Sequence, residues 1–122
     1  MKPKWKPSEN EKPTAYIIVL VDKQKSPYYE VDIGLAAENI MVMAVGCGLG
    51  SCMLRNIDRE EIRRLFSIPD NLYVDSVIAL GYPAEEPVVE DLKDSVKYWK
   101  DEQGVLHVPK RRLEDILHLN SY

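Results

Sequence analysis

The run IGLAAENIMVMAVG, residues 33–46, constrains this chain more than any other stretch. At helical spacing Ile33, Leu35, Ala36, Ala37, Ile40, Met41, Val42, Met43, Ala44 and Val45 surround the axis almost completely, interrupted by Glu38 and Asn39. A helix that is apolar on every side has to be covered on every side. A chain of 122 residues has one core and few other elements to provide that cover. The sequence therefore predicts a buried central helix, capped by Asp32, with a partner subunit as part of its cover. Glu38, Asn39 and the small residues of the run argue against a bilayer span, so no membrane partner is expected.

The remaining elements are read around that helix. Residues 1–13 are rich in proline and lysine and are predicted to form a flexible arm ahead of one domain spanning 14–122. The segment TAYIIVLVD (14–22) is β-branched and apolar on both faces, which predicts a central strand. Asp58 and Glu61 stand in N-cap and N3 positions of a capping box, opening a helix that places Ile62, Leu65 and Phe66 on one face and stops near Pro69. LYVDSVIAL (72–80) reads as a second strand, ended by Gly81-Tyr82-Pro83. Residues 96–99 and 105–108 flank DEQG as a hairpin or bent extended tail. Pro109 then suits the first turn of a last short helix, 111–118, with Leu113, Ile116 and Leu117 inward. The expected order is β-α-α-β followed by an extended tail and a helix.

Three features could carry chemistry. In VGCGLGSCMLR (45–55) the glycines follow a helix, whereas a dinucleotide fingerprint follows a strand, and no Lys-Ser or Lys-Thr pair completes a P-loop. They are read as a helix C-terminus at Gly46 or Gly48 with a tight turn after it. Cys47 and Cys52 lack the C-x-x-C spacing of a redox or zinc pair, and His107 and His118 have no ligand spacing, so the thiols are read as buried packing groups and no metal is expected. Lys110-Arg111-Arg112 is the most basic cluster of an acidic chain. On the first turn of a helix these cations oppose the macrodipole unless an anion joins them; the alternative is a solvated surface paired with Glu114 and Asp115. A net charge of −4 and a pI near 5.2 give no global field for nucleic acid. The start of the chain has no charged n-region followed by an apolar h-region, and two cysteines are few for a disulfide framework; both point to the cytoplasm.

Taken in order, the stretches DIGLAAENIM (32–41), GLGSCML (48–54) with Asp58, Ile68-Pro69 and IALGYP (78–83), and VPKRRL (108–113) resemble the nitroreductase family of FMN-dependent oxidoreductases. The resemblance runs from about Ala15 to His118 and matches the second half of the family's domain. It implies an α+β fold with a mainly antiparallel sheet, a buried central helix and an intertwined homodimer with FMN at the interface. It further implies that Met53, Leu54, Arg55 and Asn56 pass beside the flavin ring, a backbone N–H meeting N5, where small residues such as Gly48, Gly50 and Ser51 keep the chain slim. Lys110, Arg111 and Arg112 match the basic residues that contact the flavin phosphate, with either arginine as the phosphate-side residue. The implied chemistry is ping-pong hydride transfer from NAD(P)H through FMN to a nitroaromatic, quinone or similar acceptor, with no obligatory protein acid or base. The family's N-terminal half, with its arginine-rich phosphate motif, has no counterpart here. Hence the alternatives: a truncated non-catalytic flavin-binding or dimerisation module, or one half of a split enzyme whose other chain supplies the missing part.

Overall fold

The computed structural model describes residues 8, 9 and 12–120, so the arm expected at 1–13 lies mostly outside the described residues. The chain divides after Pro83 into two compact units. In the first, β1 (Ala15–Val21), α1 (Tyr29–Gly46), β2 (Gly50–Leu54), α2 (Arg59–Phe66) and β3 (Tyr73–Gly81) follow one another. The second holds β4 (Val88–Asp91), β5 (Trp99–Lys100), β6 (Leu106–Lys110) and a single 3-10 turn at Leu113–Asp115.

The first unit is a three-stranded sheet in the order β1-β3-β2, antiparallel throughout. The strand predicted to be central, β1, is an edge: β3 lies between its neighbours, with Ile78 flanked by Ile17 on one side and Met53 on the other. Apolar residues on both faces do not decide position in a sheet; a partner on each side does, and only β3 has two. Its residues Val74 to Ala79 are buried, Ile78 completely, whereas Tyr16, Ile17 and Leu20 of β1 keep substantial exposure. β2 was not foreseen, because a five-residue strand beginning Gly-Ser has weak intrinsic propensity and is formed by its ladder to β3.

The helix α1 begins at Tyr29, four residues before the sequence expectation. Asp32 is therefore not its N-cap; Tyr28 occupies that position without a side-chain cap. Asp32 instead accepts from Ser26 Oγ at 2.9 Å, and Ser26 Oγ accepts from Tyr28 N–H at 3.3 Å, tying the entry loop to the first turn. The exit answers the glycine question. Leu49 N–H donates to Ala44 C=O (2.8 Å) and Gly48 N–H to Val45 C=O (3.0 Å), the paired bonds of a Schellman cap. Gly48 takes φ +73°, a left-handed conformation natural to glycine. Ala37 and Ala44 are the buried residues of α1, while Val31, Leu35, Val42, Met43 and Val45 are exposed within this chain. Cys47 and Cys52 are likewise exposed free thiols, not the buried groups expected: one lies on the cap of α1, the other on the open side of β2.

The cap of α2 forms as expected, Asp58 Oδ1 accepting from Glu61 N–H at 3.0 Å. Leu65 and Phe66 are exposed, however, and α2 meets the sheet through Arg59, Ile62 and Arg63. Arg63 donates to the carbonyls of Ile68, Pro69 and Leu72 at 2.7–3.2 Å, closing the turn into β3. Ser67 ends the helix at φ 50°, ψ 43°. A left-handed L-residue carries a cost of about 1–2 kcal/mol, offset in part by the extra unfolded-state freedom of glycine. Ser67→Gly is therefore expected to raise stability by roughly 0.5–1 kcal/mol, read as a higher urea midpoint; a lower midpoint would show that the Ser67 side chain contributes more than its backbone costs.

In the second unit β6 pairs in parallel with β4 and antiparallel with β5, so the hairpin expected around 101–104 is present. β4 was not foreseen. The final helix expected over 111–118 is absent, replaced by the 3-10 turn. Pro109 lies inside β6, opposite Glu90; β5 pairs only with Leu106 and His107, so the missing N–H of proline costs no ladder bond there. Leu113, Ile116 and Leu117 are exposed, and a short helix without a packed face does not hold in water.

Candidate functional site

The four residues expected beside a flavin ring form one continuous corner. Met53 and Leu54 close β2, in register with Ile78 and Val77, and Arg55 and Asn56 run past the last paired residue. The corner is fixed by a group the sequence reading did not single out, Arg59 at the start of α2. Val19 pairs with Ser76 and Leu20 with Val74, so Asp75 is the extra residue of a β-bulge. Arg59 Nε donates to Val74 C=O at 2.9 Å, and Nη2 donates to Asp75 C=O at 2.9 Å and to Arg55 C=O at 3.1 Å. One guanidinium thus joins the bulge of β3 to the corner after β2, where β2 itself no longer pairs. Backbone carbonyls leave no mark in a sequence. The visible signal was a charged residue, Asp75, inside an apolar strand.

Asp75 is 3% exposed. Its Oδ1 lies 3.5 Å from Arg55 Nη2, and its Oδ2 has no partner among the described residues. Buried polar atoms are seldom left so. The corner therefore presents an exposed guanidinium backed by a buried carboxylate.

The basic cluster belongs to the other unit. Lys110 ends β6 in register with Asp91, its carbonyl accepting from Leu92 N–H at 2.8 Å. It does not open a helix, so the macrodipole argument for an anion there does not apply. Arg112 is engaged: Nε and Nη2 donate to Asp115 at 3.0 and 2.9 Å, and Nη1 lies 2.7 Å from Glu114. The hydrogen bond from Arg112 holds the Asp115 carboxyl below the usual carboxylate range, and the same bond raises Arg112. Lys110 and Arg111 are exposed and make no ion pair among the described residues. No helix of the described residues is long and apolar enough to cross a membrane.

The model of the nitroreductase family matches residues 8–82. Two archaeal proteins named "Putative NADH dehydrogenase/NAD(P)H nitroreductase" are similar to the chain. That of Methanothermobacter thermautotrophicus is 44% identical over 85 residues, which is 64% of this chain and 44% of the relative. That of Archaeoglobus fulgidus is 41% identical over 81 residues, 60% of this chain and 47% of the relative. An FMN-dependent nitroreductase structure from Clostridium difficile R20291 superposes with a TM-score of 0.57 at 26% identity, over 88% of this chain and 57% of that one. The chain spans about half the length of these curated relatives. A family match across more than half of the chain, together with a shared α+β fold, shows that the chain belongs to the nitroreductase family.

Proposed function

We propose that this chain is part or all of an FMN-dependent oxidoreductase that takes hydride from NAD(P)H and delivers two electrons to a nitroaromatic, quinone or similar acceptor in a ping-pong cycle. The observation that carries the reading is the corner at Met53–Asn56, a slim strand end fixed by Arg59 and open to solvent.

The residues present fit the cofactor on their chemistry. Lys110 and Arg111 offer cations not taken by carboxylates among the described residues, which suits a phosphate. Buried Asp75, 3.5 Å from Arg55 Nη2, backs the exposed guanidinium at the corner. When bound, FMN would supply the N5 atom that accepts and returns hydride. The chain's part would be positional: the backbone of Met53–Asn56 would hold the ring edge, with Arg59 keeping that backbone in place.

A homodimer, or a second chain supplying the part in which the relatives are longer, is proposed to cover α1. The exposed Val31, Leu35, Val42, Met43 and Val45 support such a partner. They also favour the second reading, a non-catalytic dimerisation module or one half of a split enzyme. The cytoplasm is the proposed compartment, supported by two free thiols.

Titration of FMN fluorescence against the chain, followed by NADH oxidation, tests the proposal. Lys110→Gln and Arg111→Gln are each expected to weaken FMN binding by about ten- to a hundredfold, the loss of one charge-assisted bond of about 1.5–3 kcal/mol. Arg112→Gln is expected to change it much less, because Glu114 and Asp115 already hold that guanidinium. No FMN retention and no NADH consumption would exclude the enzyme reading for the chain alone; binding indifferent to all three variants would reassign the cluster to the surface.

A further inference from the structure

We propose that His107 is a pH-operated latch on the small sheet, closed by one proton that bridges β4 to the turn of the β5–β6 hairpin. His107 stands on the central strand of that sheet, in register with Val88 on β4 and with Trp99 on β5. Nδ1 lies 2.7 Å from Glu90 Oε1, and Nε2 lies 3.3 Å from Asp101 Oδ2. The imidazole is only 15% exposed and stacks on the Trp99 indole, centroids 4.2 Å apart and planes 11° from parallel.

Both ring nitrogens thus face carboxylate oxygens. A neutral imidazole has one N–H and one lone pair, so it can satisfy only one of these carboxylates and turns a lone pair toward the other. The doubly protonated ring donates to both. The shorter contact, to Glu90, keeps its hydrogen when the proton leaves, and the contact to Asp101 is the one that opens. Asp101 is also the hinge of the hairpin turn: its Oδ1 accepts from Gln103 N–H at 3.0 Å and Val105 N–H at 2.7 Å. Opening therefore releases the His107 ring from the turn, while the turn keeps its Asp101 N–H bond to Val105 C=O at 3.1 Å and β6 stays paired with β4 and β5.

The two carboxylates that face the ring favour the closed state. Glu90 comes from β4 and Asp101 from the turn. On β5, Lys100 next to Trp99 reaches Glu85 at 2.7 Å. Lys93, Asp94 and Lys97 line the cleft bounded by Glu90 and Trp99, and Asp91 and Lys110 pair in register farther along β4 and β6. The hydrogen bond to Glu90, then that to Asp101, raises His107 above its ordinary value of 6.5, against a smaller opposing effect of burial. With the folded value raised, the latch is fully closed below about pH 6.5 and opens as pH rises through the higher folded value.

The latch is tested on the chain with no FMN added, so its outcome is independent of the cofactor proposal. The Trp5→Phe variant leaves Trp99 as the one indole, whose emission an adjacent imidazolium quenches. Emission followed from pH 5 to 9 is expected to rise with a midpoint above 6.5, and to be flat in His107→Gln. Glu90→Gln is expected to lower the midpoint toward 6.5, and Asp101→Asn to lower it by less. A midpoint at or below 6.5, or one that neither carboxylate variant moves, overturns the proposal. Chemical shifts of the His107 ring through the same titration give the midpoint without relying on emission.

Discussion

Ile78→Ala is expected to remove about 2–5 kcal/mol of stability, the usual range for an aliphatic core residue cut to alanine. Ile78 is completely buried on the central strand, in register with Ile17 of β1 and Met53 of β2. The lost methyl groups would leave a cavity between two ladders that are already joined by hydrogen bonds and cannot close on it freely. A small domain holds only about 5–15 kcal/mol in total, so the variant should approach the edge of folding. Urea unfolding followed by circular dichroism gives the difference from the shift in midpoint at unchanged slope. Leu65→Ala, on the exposed face of α2, should stay within about 0.5 kcal/mol of the parent. Equal losses at the two positions would contradict a core centred on β3.

Arg59→Ala should cost about 2–3 kcal/mol, fewer than three independent charged hydrogen bonds would suggest, because Arg59 is half-exposed and its bonds share one group. The carbonyls of Val74 and Asp75 face α2 only because the bulge brings consecutive residues to one side, and no strand stands ready to replace the guanidinium. Arg59→Lys should recover little of the loss, since an ammonium cannot reproduce the planar fork that reaches three carbonyls. The two variants can be compared by urea midpoint. In folded Arg59→Lys the Met53–Asn56 corner should exchange its amide hydrogens faster than in the parent. Parent-like stability and exchange in Arg59→Lys would mean that the three contacts are incidental.

Much of the local structure was legible in the residues. The Asp58 cap, the left-handed glycine after α1, the strand over 73–81 and the hairpin around 101–104 each have a short-range cause. What was not legible depends on distant partners. β1 is the more apolar of the two, with no counterpart of Asp75 or Ser76, and only pairing across some sixty residues makes β3 the centre. Leu113, Ile116 and Leu117 have helical spacing but nothing that covers them, so the pattern produced a turn. At the candidate site the resemblance names four consecutive residues, which form the end of β2 and the corner after it. The element that fixes it, Arg59 on a bulged strand, acts on backbone oxygens and has no residue pattern to betray it. The engagement of Arg112 by Glu114 and Asp115 was one of two readings left open, and it leaves Lys110 and Arg111 as the proposed phosphate contacts.

The strand order β1-β3-β2 also fixes a timetable for synthesis. β1 and α1 leave the ribosome before β3, which joins both edge strands, has been translated. At about 5–20 residues per second, the stretch from the end of α1 to the end of β3 takes roughly two to seven seconds. During that interval a helix apolar on every side and an apolar strand have no sheet to rest on, and local contacts cannot substitute for a pairing so distant in sequence. Slow codons between residues 47 and 81 would lengthen that exposure.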